Sequence, residues 1–195
     1  MDQKKIGLTG GIGSGKTTAS TIFQKLGVPV FNSDKESEFL LNNNREIIQE
    51  VVEKIGSNIL LNDQINRQKL AQIVFSDKKK LTILNKIIHP KVSQLFNQWT
   101  KKQKSKYIIK ESAILFESNT NNYLDKIILM KSPLKLRIQR VCLRDNRTKK
   151  DVENIINNQK KTREIEKYAD YILNNNKNSM LASNVIQLHK KLTKL

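Results

Sequence analysis

The sequence predicts an α/β protein built on a five-stranded parallel sheet. Residues 10–17 read Gly-Gly-Ile-Gly-Ser-Gly-Lys-Thr and fit G-x-x-x-x-G-K-[ST] at every fixed position. A short apolar run precedes this stretch and helical spacing follows it. Further along, short and nearly continuous apolar runs alternate with helical segments, as strands covered on both faces do.

Taken in chain order, residues 6–9 form the first strand, ending in glycines. Residues 17–26 have helical spacing through Thr18, Ile22 and Leu26, and stop at Gly27 in the C′ position. Residues 28–31 form a second strand. Residues 46–55, 67–75 and 79–104 carry apolar side chains at helical intervals. That block exceeds a single crossover helix, so a helical region spanning about 35–105 is expected to be inserted in a core formed by about 1–34 and 106–195. Pro90 should kink or divide the last of these helices. Residues 107–109 and 113–116 flank a third strand region, 126–130 form a fourth strand and 171–173 a fifth. Residues 133–167 read as helical and very basic. The Asn-rich pieces 42–44 and 174–176 read as turns.

The 195 residues suit one globular domain, or one core with a small insertion. A chain of this length buries about 70% of its unfolded surface and needs no disulfide or metal staple. The single cysteine, Cys142, forms no internal pair; in its amphipathic context it reads as a small half-buried thiol rather than a nucleophile. No apolar run approaches a membrane span. With the first strand at Ile6 and the glycine loop at Gly10, no removable leader is expected, and the protein is expected to be cytoplasmic.

The formal net charge is +18. The lysines are spread along the whole chain and accompany heavy use of Asn and Ile, so no obligate nucleic-acid partner is expected. A positive field would still attract a phosphorylated substrate. Arg137, Arg140 and Arg144 fall three and four apart on one helix face. In a phosphate-handling protein, Arg140 and Arg144 are candidate phosphate contacts.

Each residue of the glycine loop has a physical task. Gly11, Ile12, Gly13, Ser14 and Gly15 turn main-chain N–H groups inward, and the helix N-terminus adds its dipole. Lys16 supplies a mobile charge for the β- and γ-phosphates, the Thr17 hydroxyl is placed for Mg²⁺, and Thr18 continues the cradle. The expected ligands are ATP and Mg²⁺. The loop alone does not say what becomes of the γ-phosphate. No apolar strand ends in an aspartate with the spacing of a switch or motor; Glu111 is the nearest acidic candidate. Asp34 follows the second strand, on the rim where parallel sheets bind ligands. It fits a helix N-cap. It equally fits a carboxylate that orients an attacking hydroxyl or helps to hold Mg²⁺.

Several motifs, in order, resemble the dephospho-coenzyme A kinase family over essentially the whole chain. They are GLTGGIGSGKTT, LGVPVFNSD, INRQKLAQIVFSD, LNKIIHP, ESAILFE, RIQRVCLRD followed by Gln159, and YADYILNN. The resemblance implies a P-loop nucleoside-monophosphate-kinase-like three-layer fold with a helical substrate domain and a lid at about 137–165. It implies transfer of the ATP γ-phosphate to the ribose 3′-hydroxyl of dephospho-coenzyme A, giving coenzyme A and ADP.

By matching position, the resemblance puts Asp34 at the attacking hydroxyl, with Lys16 and Arg140 completing the catalytic set. Arg67 and His89 fall on the substrate side, with Glu111 and Glu117 near the cleft. Arg140 and Arg144 become lid or phosphate contacts, and Asn174 and Asn175 lie near the adenine. The chain departs from the family pattern at Asn32, where an Asp is usual, and at Ala113, where a Pro is usual. The expected assembly is a monomer or weak homo-oligomer. The competing readings are another small-metabolite kinase, a nucleic-acid-stimulated ATPase, and a nucleotide-dependent binding module.

Overall fold

The computed structural model describes residues 3–176 and 180–194. The chain forms two compact units: Met1–Asn32 together with Trp99–Leu195, and Ser33–Gln98.

The first unit contains a five-stranded parallel sheet. Its strands are β1 (Lys4–Thr9), β2 (Val30–Asn32), β5 (Tyr107–Glu111), β6 (Lys126–Lys131) and β7 (Tyr171–Asn174), in the order β2-β5-β1-β6-β7. Alternate side chains build two cores, as the two-residue period of a strand requires. Ile6, Leu8, Tyr107, Ile109, Ile128 and Met130 pack against Ala19 and Phe23 of α1 (Lys16–Lys25) and Val185, Leu188 and Leu192 of α9 (Leu181–Leu192). On the other face Ile127 and Leu129 meet Leu115, Phe116 and Ile165, the last from α8 (Thr162–Glu166). At the base of the first face, the Tyr107 hydroxyl lies 2.7 Å from His189 Nδ1, tying α9 to β5. α1 ends as expected: Gly27 adopts φ 81° and its N–H donates to Gln24 O.

The very basic stretch divides into α6 (Leu134–Asp145), α7 (Lys149–Asn157) and α8. Cys142 is half-buried on α6, in line with its reading as a packing thiol. Among the described residues, no helix is long and apolar enough to cross a membrane.

The second unit is mostly helical, with α2 (Ser33–Asn43), α3 (Arg45–Ile55), α4 (Arg67–Ser76) and most of α5 (Lys78–Thr100). Ile47, Val51 and Ile55 recur every four residues and form the buried stripe of α3. A two-residue pairing, β3 (Leu60–Leu61) with β4 (Gln64–Ile65), turns through Asn62 and Asp63 at positive φ.

Several expectations are corrected. The third strand is the single segment β5, and residues 113–116 are a turn. Pairing with β1 on one side and β2 on the other carries β5 through Lys110 and Glu111, which propensity alone disfavours. α5 is not divided at Pro90, because buried Ile87, Ile88, Val92 and Phe96 hold it on both sides of the missing N–H. Asn42 and Asn43 end α2, and Asn44 caps α3 by accepting from Ile47 N at 3.0 Å, so 42–44 is a helix junction rather than a turn. In the other Asn-rich piece, Asn174 belongs to β7. Asp34 lies inside the first turn of α2 and is not its N-cap.

Candidate active site

The glycine loop joins β1 to α1, and its backbone needs its glycines. Gly13 and Gly15 have φ 76° and 97°, which side chains resist. A Cβ on Gly13 would come within 2.5 Å of the Arg137 carbonyl oxygen, and one on Gly15 within 2.0 Å of Asn175 Nδ2. Lys16 is buried, and its Nζ donates to Gly10 O at 2.9 Å and reaches Gly11 O at 3.5 Å.

Glu111 lies at the carboxyl end of β5, where the parallel register pairs it with Leu8 just before the loop. It is only 2% exposed. Its Oε1 accepts from the Thr17 hydroxyl at 3.2 Å, and its Oε2 from Ser20 Oγ at 2.7 Å and Asn32 Nδ2 at 2.9 Å. Three donors compensate the burial of this carboxylate. Thr17 and Glu111 thus offer hard oxygen atoms side by side at the loop, the donor type Mg²⁺ takes. Glu111, expected near the cleft, lies at the end of β5 beside the phosphate loop.

Residues of α6, of the α7–α8 linker and just beyond β7 hold the loop from outside. Arg137 Nε donates to Ile12 O at 2.9 Å, and Gln159 Oε1 accepts from Ile12 N at 3.0 Å. Arg140 Nη1 reaches Gly13 O at 3.4 Å, Ser132 Oγ at 3.3 Å and Asn175 O at 3.4 Å. Asn175 Nδ2 donates to Ser14 O at 2.9 Å. Beside the loop opens a cleft of about 660 Å³, lined among others by Gly11, Pro133, Leu134, Arg137, Gln159 and Asn174. Burial lowers the pKa of Arg137, which remains a cation at neutral pH.

The first unit therefore brings together residues 10–18, Glu111, Arg140, Asn174 and Asn175. Asn174 borders the cleft, whereas Asn175 grips the loop. Arg144 is not at the loop. It is exposed and forms paired hydrogen bonds with Asp145 at 2.6 and 2.8 Å, which raise its pKa. A carboxylate next door in sequence captures the guanidinium at the surface. Glu117 does not border the cleft either; its Oε1 accepts from Lys160 N at 2.6 Å. Asp34, Arg67 and His89 belong to the helical unit. There Asp34 is exposed on α2, Arg67 pairs with Glu38, and His89 is half-buried on α5.

Sequence reasoning put Arg137 on the basic face of its helix without giving it a place in the site, and gave Gln159 no role. Arg137 carried a usable signal, since it stands four before buried Val141 on α6 and so faces inward. Ser20 gave none, because its partner is distant in sequence, and Asn32 stood out only as a departure from the family pattern.

A model of the family described as dephospho-CoA kinase matches residues 4–180. A dephospho-CoA kinase of Fusobacterium nucleatum is 37% identical over 174 residues, covering 89% of this chain and 90% of that protein. One from Bacteroides fragilis is 34% identical over 185 residues, covering 94% and 90%. Among solved structures, a Thermus thermophilus protein superposes with TM-score 0.84 at 27% identity, covering 100% of this chain and 99% of that one. A dephospho-CoA kinase from Campylobacter jejuni superposes with TM-score 0.68 at 25% identity, covering 99% and 98%. A shikimate kinase from Bacteroides thetaiotaomicron, at 15% identity and TM-score 0.53, shares the fold. With the phosphate loop, its buried carboxylate and a match running through both units, the chain belongs to the dephospho-CoA kinase family.

Proposed function

We infer that this chain transfers the γ-phosphate of ATP to the ribose 3′-hydroxyl of dephospho-coenzyme A, giving coenzyme A and ADP. The observation that carries the reading is the span of the family match, which covers the phosphate-loop unit and the helical unit alike.

The proposed mechanism is positioning and charge stabilisation, as in phosphoryl transfer generally. Loop N–H groups from Gly13 to Thr18 hold the triphosphate. Lys16 exchanges its carbonyl contacts for the β- and γ-phosphate oxygens. Thr17 and Glu111 would hold Mg²⁺, which would supply positive charge to offset that of the phosphates. Asp34 orients the 3′-hydroxyl and takes up its proton as the new O–P bond forms and the bond to the β–γ bridging oxygen breaks. Arg137 and Arg140, at the root of a lid spanning 137–165, neutralise charge on the transferred group. Arg67 and His89 contact the acceptor. The cleft beside Gly11 takes the nucleoside of ATP, with Asn174 near the base. The reading is of a cytoplasmic enzyme, monomeric or weakly self-associating.

The test is ADP release from Mg·ATP with dephospho-coenzyme A, against blanks without acceptor or with adenosine or AMP. Release with dephospho-coenzyme A alone supports the reading. Turnover only with another acceptor keeps a metabolite kinase but removes this acceptor. Release stimulated by DNA or RNA, and weakened steeply by salt, favours the nucleic-acid ATPase.

A further inference from the structure

The linker between α7 and α8 makes adjacent contacts that the reaction as drawn does not use. Gln159 Oε1 accepts from Ile12 N in the phosphate loop at 3.0 Å. The next residue, Lys160, donates its main-chain N–H to Glu117 Oε1 at 2.6 Å. Glu117 stands on a rigid support: its neighbour Phe116 is buried in the second core, and Ser118 N and Thr120 N close turns onto Ile114 O and Leu115 O. The Lys160 ammonium also lies 5.9 Å from the centre of the Phe116 ring. Ile12 is therefore gripped from both sides, its N–H by Gln159 and its carbonyl by Arg137. Gln159 and Gly11 are themselves walls of the cleft beside the loop.

We propose that Glu117 and Gln159 form a strap that positions the phosphate loop and cleft for ATP, with Glu117 a positioning residue that acts through Gln159 and touches no substrate. The chemistry of both residues suits this task. The acceptor facing Ile12 N is a neutral amide, whereas a carboxylate there would repel the incoming triphosphate. The carboxylate of the pair is set back behind the linker. Its other oxygen, Oε2, is buried and makes no hydrogen bond among the described residues. A glutamine at 117 can therefore keep the bond to Lys160 N and place its –NH₂ where no bond is lost. The strap thus uses the acceptor at Glu117, not its charge. A substrate, metal or proton-transfer role would need the charge.

The inference rests on the proposed kinase reading for its kinetic arm alone, because nucleotide binding needs no acceptor. The variants are Glu117→Ala, Gln159→Ala, the double variant and Glu117→Gln. ATP affinity would be measured by calorimetry without acceptor, and KM for ATP and for dephospho-coenzyme A by steady-state kinetics. Each alanine variant should weaken ATP binding, and raise its KM, by up to about tenfold, the effect of losing one hydrogen bond. The double variant should be no worse than the weaker single, KM for the acceptor should stay at the wild-type value, and Glu117→Gln should bind ATP within about twofold of wild type. Additive losses would overturn the strap. So would a Glu117→Gln variant as impaired as Glu117→Ala, or a shifted acceptor KM with unchanged ATP affinity. Should Glu117→Ala not fold, Glu117→Gln and Gln159→Ala still decide, since the strap requires the first to bind normally and the second to bind weakly. Normal ATP binding by wild type without phosphorylation of dephospho-coenzyme A would remove the proposed acceptor and leave the strap standing.

Discussion

At the scale of single residues, the carboxylate of Glu111 and the ammonium of its neighbour Lys110 are both buried. Glu111 is held by three donors and faces Thr17. Glu111→Gln keeps the volume but gives up the charge beside Thr17. If Glu111 serves the proposed Mg²⁺ site, this should lower kcat by at least about 10- to 100-fold, with the melting temperature little changed, since even residues that only orient metal ligands have effects of that size. Asp34→Asn should lower kcat by at least about 100-fold if the carboxylate serves the hydroxyl proton; near wild-type turnover would remove that role. Lys110 alternates with Glu111 along β5, and burial pushes its pKa down from the ordinary 10.5 to about 8. Below pH 8 both folded and unfolded chains carry the proton, so the folded state bears the burial cost in full. Between about 8 and 10.5 the unfolded state binds more protons, and stability contributed by this group rises with pH. The pH-dependent gain in stability between about 8 and 10.5 should therefore be present in wild type and absent from Lys110→Met, read from melting temperatures across that range. The same gain in Lys110→Met would show that this ammonium is not its cause.

At the scale of elements, the helix junctions are set by side chains that propensity tables treat as weak. Asn44 separates α2 from α3 by satisfying Ile47 N, and Asn66 does the same for α4 through Lys69 N. Asn44→Ala should cost about 1 kcal/mol of stability, read from the denaturant midpoint at unchanged slope. α6 shows how one basic face is divided by packing. Arg137 is buried at the loop, Arg140 reaches loop and strand-end carbonyls, and Arg144 leaves for Asp145. The three-four spacing correctly put them on one face, but a helix rises 1.5 Å per residue. One end of that face can therefore touch the loop while the other is in solvent.

At the scale of the whole molecule, the charge of +18 is far larger than the site needs. Much of it is solvated lysine, which acts on encounter rather than on chemistry. Raising salt should increase KM for both anionic substrates while leaving kcat unchanged; a kcat that falls in step would place the dependence in the closed site instead.

Sequence by itself determined the strand–loop–helix that holds phosphate, the parallel character of the sheet, the helical block and the family. All of these are local, written in glycines, two- and four-residue periods and motif order. Only the tertiary structure decided what meets the loop. Thr17 and Glu111 lie 94 residues apart, Ile12 and Gln159 147 apart, and Glu117 and Lys160 43 apart. Parallel pairing fixes these meetings, because β5 and β6 flank β1 only after long crossovers. No local pattern records which carboxylate will then stand beside the threonine, or which glutamate will hold a backbone N–H instead of a substrate.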